Sequence, residues 1–134
     1  MSRTRTGLLT AAFTATLLAV SAVPAMAGDA AASHGTVVGE WKTRTEGVKQ
    51  TVTFDKKGRV FGDSGCNRFT GGYTVKSDGR IEIGPLASTM MFCEGKMDAE
   101  RIFLTKLEAA VSYHATDTKL KLFTSKDVMT LRPA

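Results

Sequence analysis

The chain has 134 residues, 43% of them hydrophobic and 23% charged, with a formal net charge of +5 at pH 7. That length suits one domain with a single core, and no internal repeat, low-complexity tract or interdomain linker interrupts it. Lysines and acids are interleaved from Glu40 to Asp127, which reads as a solvated surface and argues against a nucleic-acid footprint, leaving at most a mild attraction to anionic envelope components.

The N-terminus has the three parts of an export signal. Arg3 and Arg5 form a basic start, and Leu8 to Val23 is apolar apart from Thr10, Thr14, Thr16 and Ser21. Pro24 breaks the run, and Ala25-Met26-Ala27 is a small-x-small cleavage site. The run is short for a ~20-residue span and carries four hydroxyl residues, so a cut after Ala27 is expected rather than a retained anchor. No adjacent arginine pair suggests twin-arginine export, and no cysteine stands at the cleavage point to take a lipid. The expectation is a periplasmic or secreted, non-lipidated protein with no stable membrane insertion. Residues 1–27 are the signal, 28–36 a small, polar, flexible lead-in, and 37–134 the domain.

From Val37 onward the period is mostly two. Val52 and Phe54 share a strand face with Val48, while Lys49, Thr51 and Thr53 share the other. Asp55-Lys56-Lys57-Gly58 reads as a hairpin turn into Arg59-Val60-Phe61. Tyr73-Thr74-Val75, the turn Ser77-Asp78-Gly79 and the strand Arg80 to Ile83 repeat the pattern. Between Asp98 and Ala110 the rhythm changes, with Ala99, Ile102, Phe103, Leu107 and Ala110 at helical steps. An amphipathic helix over about 98–110 is predicted, with Asp98 at its cap. Leu120 and Leu122, Ser125-Lys126-Asp127 and Val128 to Leu131 then give a final strand, turn and strand. Short strands, one helix and frequent glycines predict a mainly β fold, a small antiparallel, partly closed β-barrel with one α-helix. Such closure protects sheet edges.

The chemistry-bearing residues are few. Cys66 and Cys93 are the only cysteines, and an even count in an exported chain reads first as a disulfide. A reactive Cys66 thiolate favoured by Arg68 is the alternative. With no CxxC and no paired histidines, a zinc site is not outlined, and neither a metal nor a cofactor is expected. Gly62-Asp63-Ser64-Gly65 copies the surroundings of a serine nucleophile. A base must lie within reach of such a serine, and His34 and His114 lie in no catalytic block. The bland reading is a glycine-rich bend leading into Cys66. Asn67 suits a turn beside Gly65, and Arg68 either pairs with Asp63 or caps loop carbonyls. Met90-Met91-Phe92 reads as half core and half surface, its outer side chains forming a soft apolar contact.

Two blocks carry a resemblance. Gly65-Cys66-Asn67-Arg68-Phe69, followed by Gly71-Gly72-Tyr73, and the run from Gly84-Pro85-Leu86-Ala87-Ser88-Thr89 to Met91 and Cys93 resemble the META domain family, that of the bacterial heat-shock protein HslJ. Trp41, Phe54 with Gly58, and Glu100, Phe103, Leu104 and Leu107 fall in the family's order around them, with Tyr113 beyond, so the similarity spans Trp41 to Leu131. Met90 stands where relatives commonly carry a basic residue, and Phe92 where a small one is common. The resemblance implies a small β-barrel-like sheet with a helix, in an envelope or secreted protein linked to heat induction and novobiocin tolerance. It brings no catalytic residues.

The expected function is therefore non-enzymatic: a monomeric envelope protein acting in stress response or drug tolerance by binding an unknown envelope protein or small molecule. A disulfide between Cys66 and Cys93 would gather Asn67, Arg68, Thr89, Met90, Met91 and Phe92 into one interaction face. The alternatives are a carrier of a small apolar ligand inside the barrel and a Ser64 or Cys66 hydrolase. A core filled by Trp41, Phe54, Phe103 and Leu107 would leave the carrier no room.

Overall fold

The computed structural model describes residues 34–134; the expected signal, its cleavage site and most of the lead-in lie outside the described residues. Among the described residues, eight strands and one helix follow in the order β1 (Gly39–Thr45), β2 (Val48–Phe54), β3 (Arg59–Asp63), β4 (Arg68–Val75), β5 (Ile81–Ser88), α1 (Met97–Glu108), β6 (Ser112–Ala115), β7 (Leu120–Phe123) and β8 (Val128–Pro133). They form one sheet in the order β5-β4-β3-β2-β1-β8-β7-β6, each neighbouring pair antiparallel. The sheet curls until its two ends meet briefly. Arg80 bridges Ser112, Ile81 N–H donates to the Val111 carbonyl (3.1 Å), and Tyr113 N–H donates to the Gly79 carbonyl (2.9 Å). Beyond that contact the two edge strands, β5 and β6, do not pair, and α1 packs on β5 and touches β1. The partly closed barrel is what the two-residue period predicts.

Alternation decides what fills the barrel. Val52 and Phe54 from β2, Leu120 and Leu122 from β7, and Leu131 from β8 are fully buried, and the face of α1 adds Phe103 and Leu107. Phe54 meets Tyr73 edge-on with ring centroids 4.9 Å apart, and Phe69 meets Phe103 at 5.8 Å. Trp41 is buried against this core, with its indole Nε1–H donating to the Val37 carbonyl at 2.8 Å. The β2–β3 and β4–β5 hairpins turn where their glycine signals place them. Asp55 Oδ1 accepts from Lys57 and Arg59 N–H, and Gly58 takes φ +82°.

Two details differ from expectation. The helix starts at Met97 with Lys96 as its cap residue and no side-chain cap bond; Asp98 lies within the first turn and pairs with Arg101 at 3.3 Å. Its carboxylate still complements the helix dipole there. Residues ahead of the boundary expected at Val37 also join the domain. His34 O accepts from Ala115 N–H (2.7 Å), and Gly35 O accepts from the Tyr113 hydroxyl (3.3 Å). Among the described residues no helix is long and apolar enough to cross a membrane.

Candidate functional site

The rim of the barrel between the end of β3 and the start of α1 brings the two sequence blocks together. Cys66 and Cys93 are joined, with an S–S distance of 2.05 Å and a Cα–Cα distance of 5.8 Å. The approach to Cys66 is a tight bend. Gly65 has φ +108°, and a Cβ there would lie 2.4 Å from Val48 Cγ1, so both the backbone and the space exclude a side chain. Asp63 Oδ1 closes the bend by accepting from Gly65 N–H at 2.8 Å.

Asn67 organises everything around the bridge. Its Nδ2 donates to Glu100 Oε1 at 2.8 Å and to the Met91 carbonyl at 3.0 Å. Its Oδ1 accepts from Met91 N–H (2.7 Å) and from the Thr89 hydroxyl (2.8 Å), while its own N–H donates to Glu100 Oε2 at 3.0 Å. The side-chain amide thus fills both its donor and acceptor capacity, copying the edge of a β-strand for the Met91 peptide. Arg68 N–H donates to Thr89 Oγ1 (3.2 Å), and Thr89 N–H donates to the Arg68 carbonyl (3.0 Å). Below this layer the Ser64 hydroxyl donates to the Asn67 carbonyl (2.7 Å). Gln50 Nε2 donates to the Ser64 and Ala99 carbonyls, both at 3.0 Å. Gln50, Ser64, Asn67 and Glu100 are all buried, and no buried side-chain nitrogen or oxygen among the described residues lacks a partner.

The side chains above this layer point outward. Met90 is 94% exposed, Met91 60% and Phe92 79%. The run read as half core is therefore all surface, because Asn67 holds both peptide groups of Met91 inward and leaves the side chains no route to the core. Arg68 stands directly across from Asp63 in the β3–β4 register, yet makes no ion pair with it. Among the described residues its guanidinium has no hydrogen-bond partner either, so it caps no loop carbonyl. Of the six residues expected on the face, Arg68, Thr89, Met90, Met91 and Phe92 are on the surface, and Asn67 lies beneath them as their support.

Two of these supports were missed in the sequence although both left a sign. Glu100 is in step with Phe103 and Leu107 on the buried stripe of α1, and Gln50 is in step with Val52 and Phe54 on β2. A polar residue at a core step must find buried partners.

Of the other candidate chemistries, Ser64 is fully buried with its hydroxyl committed to a backbone carbonyl, and there is no free thiol among the described residues. A carrier would need a chamber, and Trp41, Phe54, Phe103 and Leu107 occupy the barrel interior.

A family model, the META domain, matches residues 35–134. The chain belongs to the META domain family. Solved structures show the same fold at low identity. The NMR structure of a protein from Burkholderia xenovorans has a TM-score of 0.57 at 23% identity, covering 72% of this chain and 81% of that one. A second NMR structure has a TM-score of 0.55 at 21% identity, covering 75% and 89%. The crystal structure of a DUF4847 family protein from Bacteroides vulgatus has a TM-score of 0.51 at 17% identity, covering 63% of this META domain protein and 59% of its own chain. No curated protein matches.

Proposed function

We propose that this META domain protein is an exported, non-enzymatic and monomeric binding protein of the cell envelope, acting in stress response or drug tolerance. Its contact face is the rim made by Arg68, Thr89, Met90, Met91 and Phe92. The observation that carries the reading is the exposed methionine-aromatic run, fixed from below by a disulfide and a saturated buried amide. Three large apolar side chains, each more than half exposed, add little burial to the fold, whereas flexible thioethers beside an aromatic ring adapt to a partner surface. Arg68, an unpaired cation at their edge, supplies the polar contact. The disulfide is consistent with an oxidising, exported location and supports the periplasmic or secreted placement. The partner is an envelope protein or small molecule with a complementary apolar surface.

The test is complementation of cells lacking the protein under heat and novobiocin challenge, normalised to protein level. Arg68→Ala and the triple variant Met90→Ser/Met91→Ser/Phe92→Ser should fail to complement while melting near the parent temperature. Arg80→Ala, remote from the rim, should complement. Complementation by the triple variant at equal protein level would contradict the assignment.

A further inference from the structure

The charges that looked evenly scattered along the sequence are not evenly placed in the fold. Four ion pairs form among the described residues: Arg59 with Asp55, Arg80 with Asp78, Arg101 with Asp98 and Lys106 with Asp127. None involves the outer face of β8, β1 and β2. There Lys42, Arg44, Lys49 and Arg132 line a cleft of about 520 Å³ with no carboxylate in its lining, together with the hydroxyl residues Thr51 and Thr130. The strand register makes the arrangement costly for the free protein. Arg44 lies opposite Lys49 across β1–β2, and Lys42 lies opposite Arg132 across β1–β8. Like charges directly opposite on one sheet face repel. Glu40, Glu46 and Asp63 border the face, and none is within ion-pair distance of these cations.

We propose that this cleft is a docking surface for a linear, phosphodiester-linked polyol or sugar chain. It is separate from the rim and does not depend on the reading of the rim. An anion laid along the cleft meets cations from three strands and relieves both like-charge pairs, so complementarity comes from relief of repulsion as well as attraction. Alternate residues on a strand stand ~7 Å apart, and neighbouring strands ~4.8 Å, so the cations repeat along the cleft and suit a chain better than a single ion. The Thr51 and Thr130 hydroxyls suit the hydroxyl groups of a polyol or sugar. No aromatic residue lines the cleft, so bases of a nucleic acid would find no stacking platform.

The experiment is binding of labelled poly(glycerol phosphate) to the purified protein by anisotropy. Single-stranded oligonucleotide and phosphatidylglycerol vesicles compete at equal phosphate. Poly(glycerol phosphate) should bind at 50 mM salt, lose affinity roughly tenfold or more by 200 mM, and outcompete both other phosphates. Lys42→Gln/Arg44→Gln/Lys49→Gln should weaken binding at least tenfold. Arg59→Gln/Arg80→Gln/Arg101→Gln, which removes the same charge from paired positions, should stay within about twofold. The first triple variant should melt within a few degrees of the parent, because removal of the repelling pairs offsets loss of the Arg44 Nη1 bond to the Gly47 carbonyl, and poly(glycerol phosphate) should raise the melting temperature of the parent. No binding at 50 mM, equal loss in both triple variants, preference for oligonucleotide or vesicles, or no thermal shift of the parent would each overturn the proposal.

Discussion

The wall and the rim of this barrel obey opposite rules. On the wall, Leu120 and Leu122 point inward and are fully buried, while Lys119 and Lys121 on either side face water. At the rim the polarity is reversed: Asn67 and Glu100 are inside, and Met90 and Phe92 are outside. The wall is stabilised by removing apolar area from water, which depends on composition more than on identity. The rim is stabilised by a closed set of hydrogen bonds and one covalent link, in which each member is needed by the next. Reversal of polarity is unfavourable for folding alone, so the rim is where a function other than folding is expected.

The largest effects should come from breaking either region at its centre. Leu122→Ala on the wall should cost about 2–5 kcal/mol by leaving a cavity. Asn67→Ala at the rim should cost about 3 kcal/mol or more, because Glu100, Thr89 and the Met91 peptide lose their partners together. A difference between the regions should appear on repair. Leu122→Met should recover most of the wall stability, whereas Asn67→Leu should recover little at the rim, since volume is not what Asn67 supplies. Thermal melting of these four variants tests this; full recovery by Asn67→Leu would remove the distinction.

The disulfide comes next. Its closure over a sequence separation of 27 should contribute about 3.5 kcal/mol in the chain-entropy model, an upper value for the loss in Cys93→Ser. That corresponds to a fall in melting temperature on the order of 15 °C. Because the Asn67 amide also ties residue 91 to the start of β4, reduction should lower the melting temperature without unfolding the protein at 25 °C. Unfolding on reduction, seen as a red shift of emission from the buried Trp41, would show that the hydrogen bonds cannot hold the rim alone.

Much of the wall was legible in the sequence because it is periodic. Val52 with Phe54, Leu120 with Leu122 and the helix face through Phe103 and Leu107 each declare an inner side by spacing alone. The turn at Asp55 to Gly58 was legible because its residues satisfy their own backbone. The rim was legible only where chemistry pairs two residues by type, as with Cys66 and Cys93. The bond from Asn67 to Glu100 spans 33 positions and follows no period, and without it Met90 to Phe92 could not be placed. The cationic cleft was hidden for a similar reason. Its members come from both ends of the domain, and only the β1–β8 pairing brings Lys42 to Arg132.

The smallest predicted effect is acid sensitivity on the outer turns. The Asp55 and Asp78 carboxyls are held below their ordinary value of 3.8 chiefly by the N–H groups of Arg59 and Arg80, and Asp127 chiefly by Lys106. A carboxyl lowered in the folded state contributes stability that is present above its ordinary value and lost as the pH falls through the lowered one. Asp78 and Asp127 are open to solvent and Asp55 is half-buried beside the exposed Arg59, so the contribution is screened and small. Melting temperature should therefore show no change from these groups between about pH 5 and 7 and a shallow decline below about pH 4. Asp127→Asn should make that decline shallower; an unchanged acid profile would remove Asp127 from the set.

The rim's role as a contact face is tested most directly by a photo-crosslinking residue placed at Phe92 in living cells, with the same residue at Val75 as the comparison. Val75 is also an exposed apolar side chain, 44% accessible, but lies on β4 away from the rim. A discrete crosslinked species from position 92, absent at position 75 and lost in the Arg68→Ala background at equal protein level, is the expected result. Identical species from both positions, or none from position 92 under any stress condition, would contradict the assignment of the rim as the binding face.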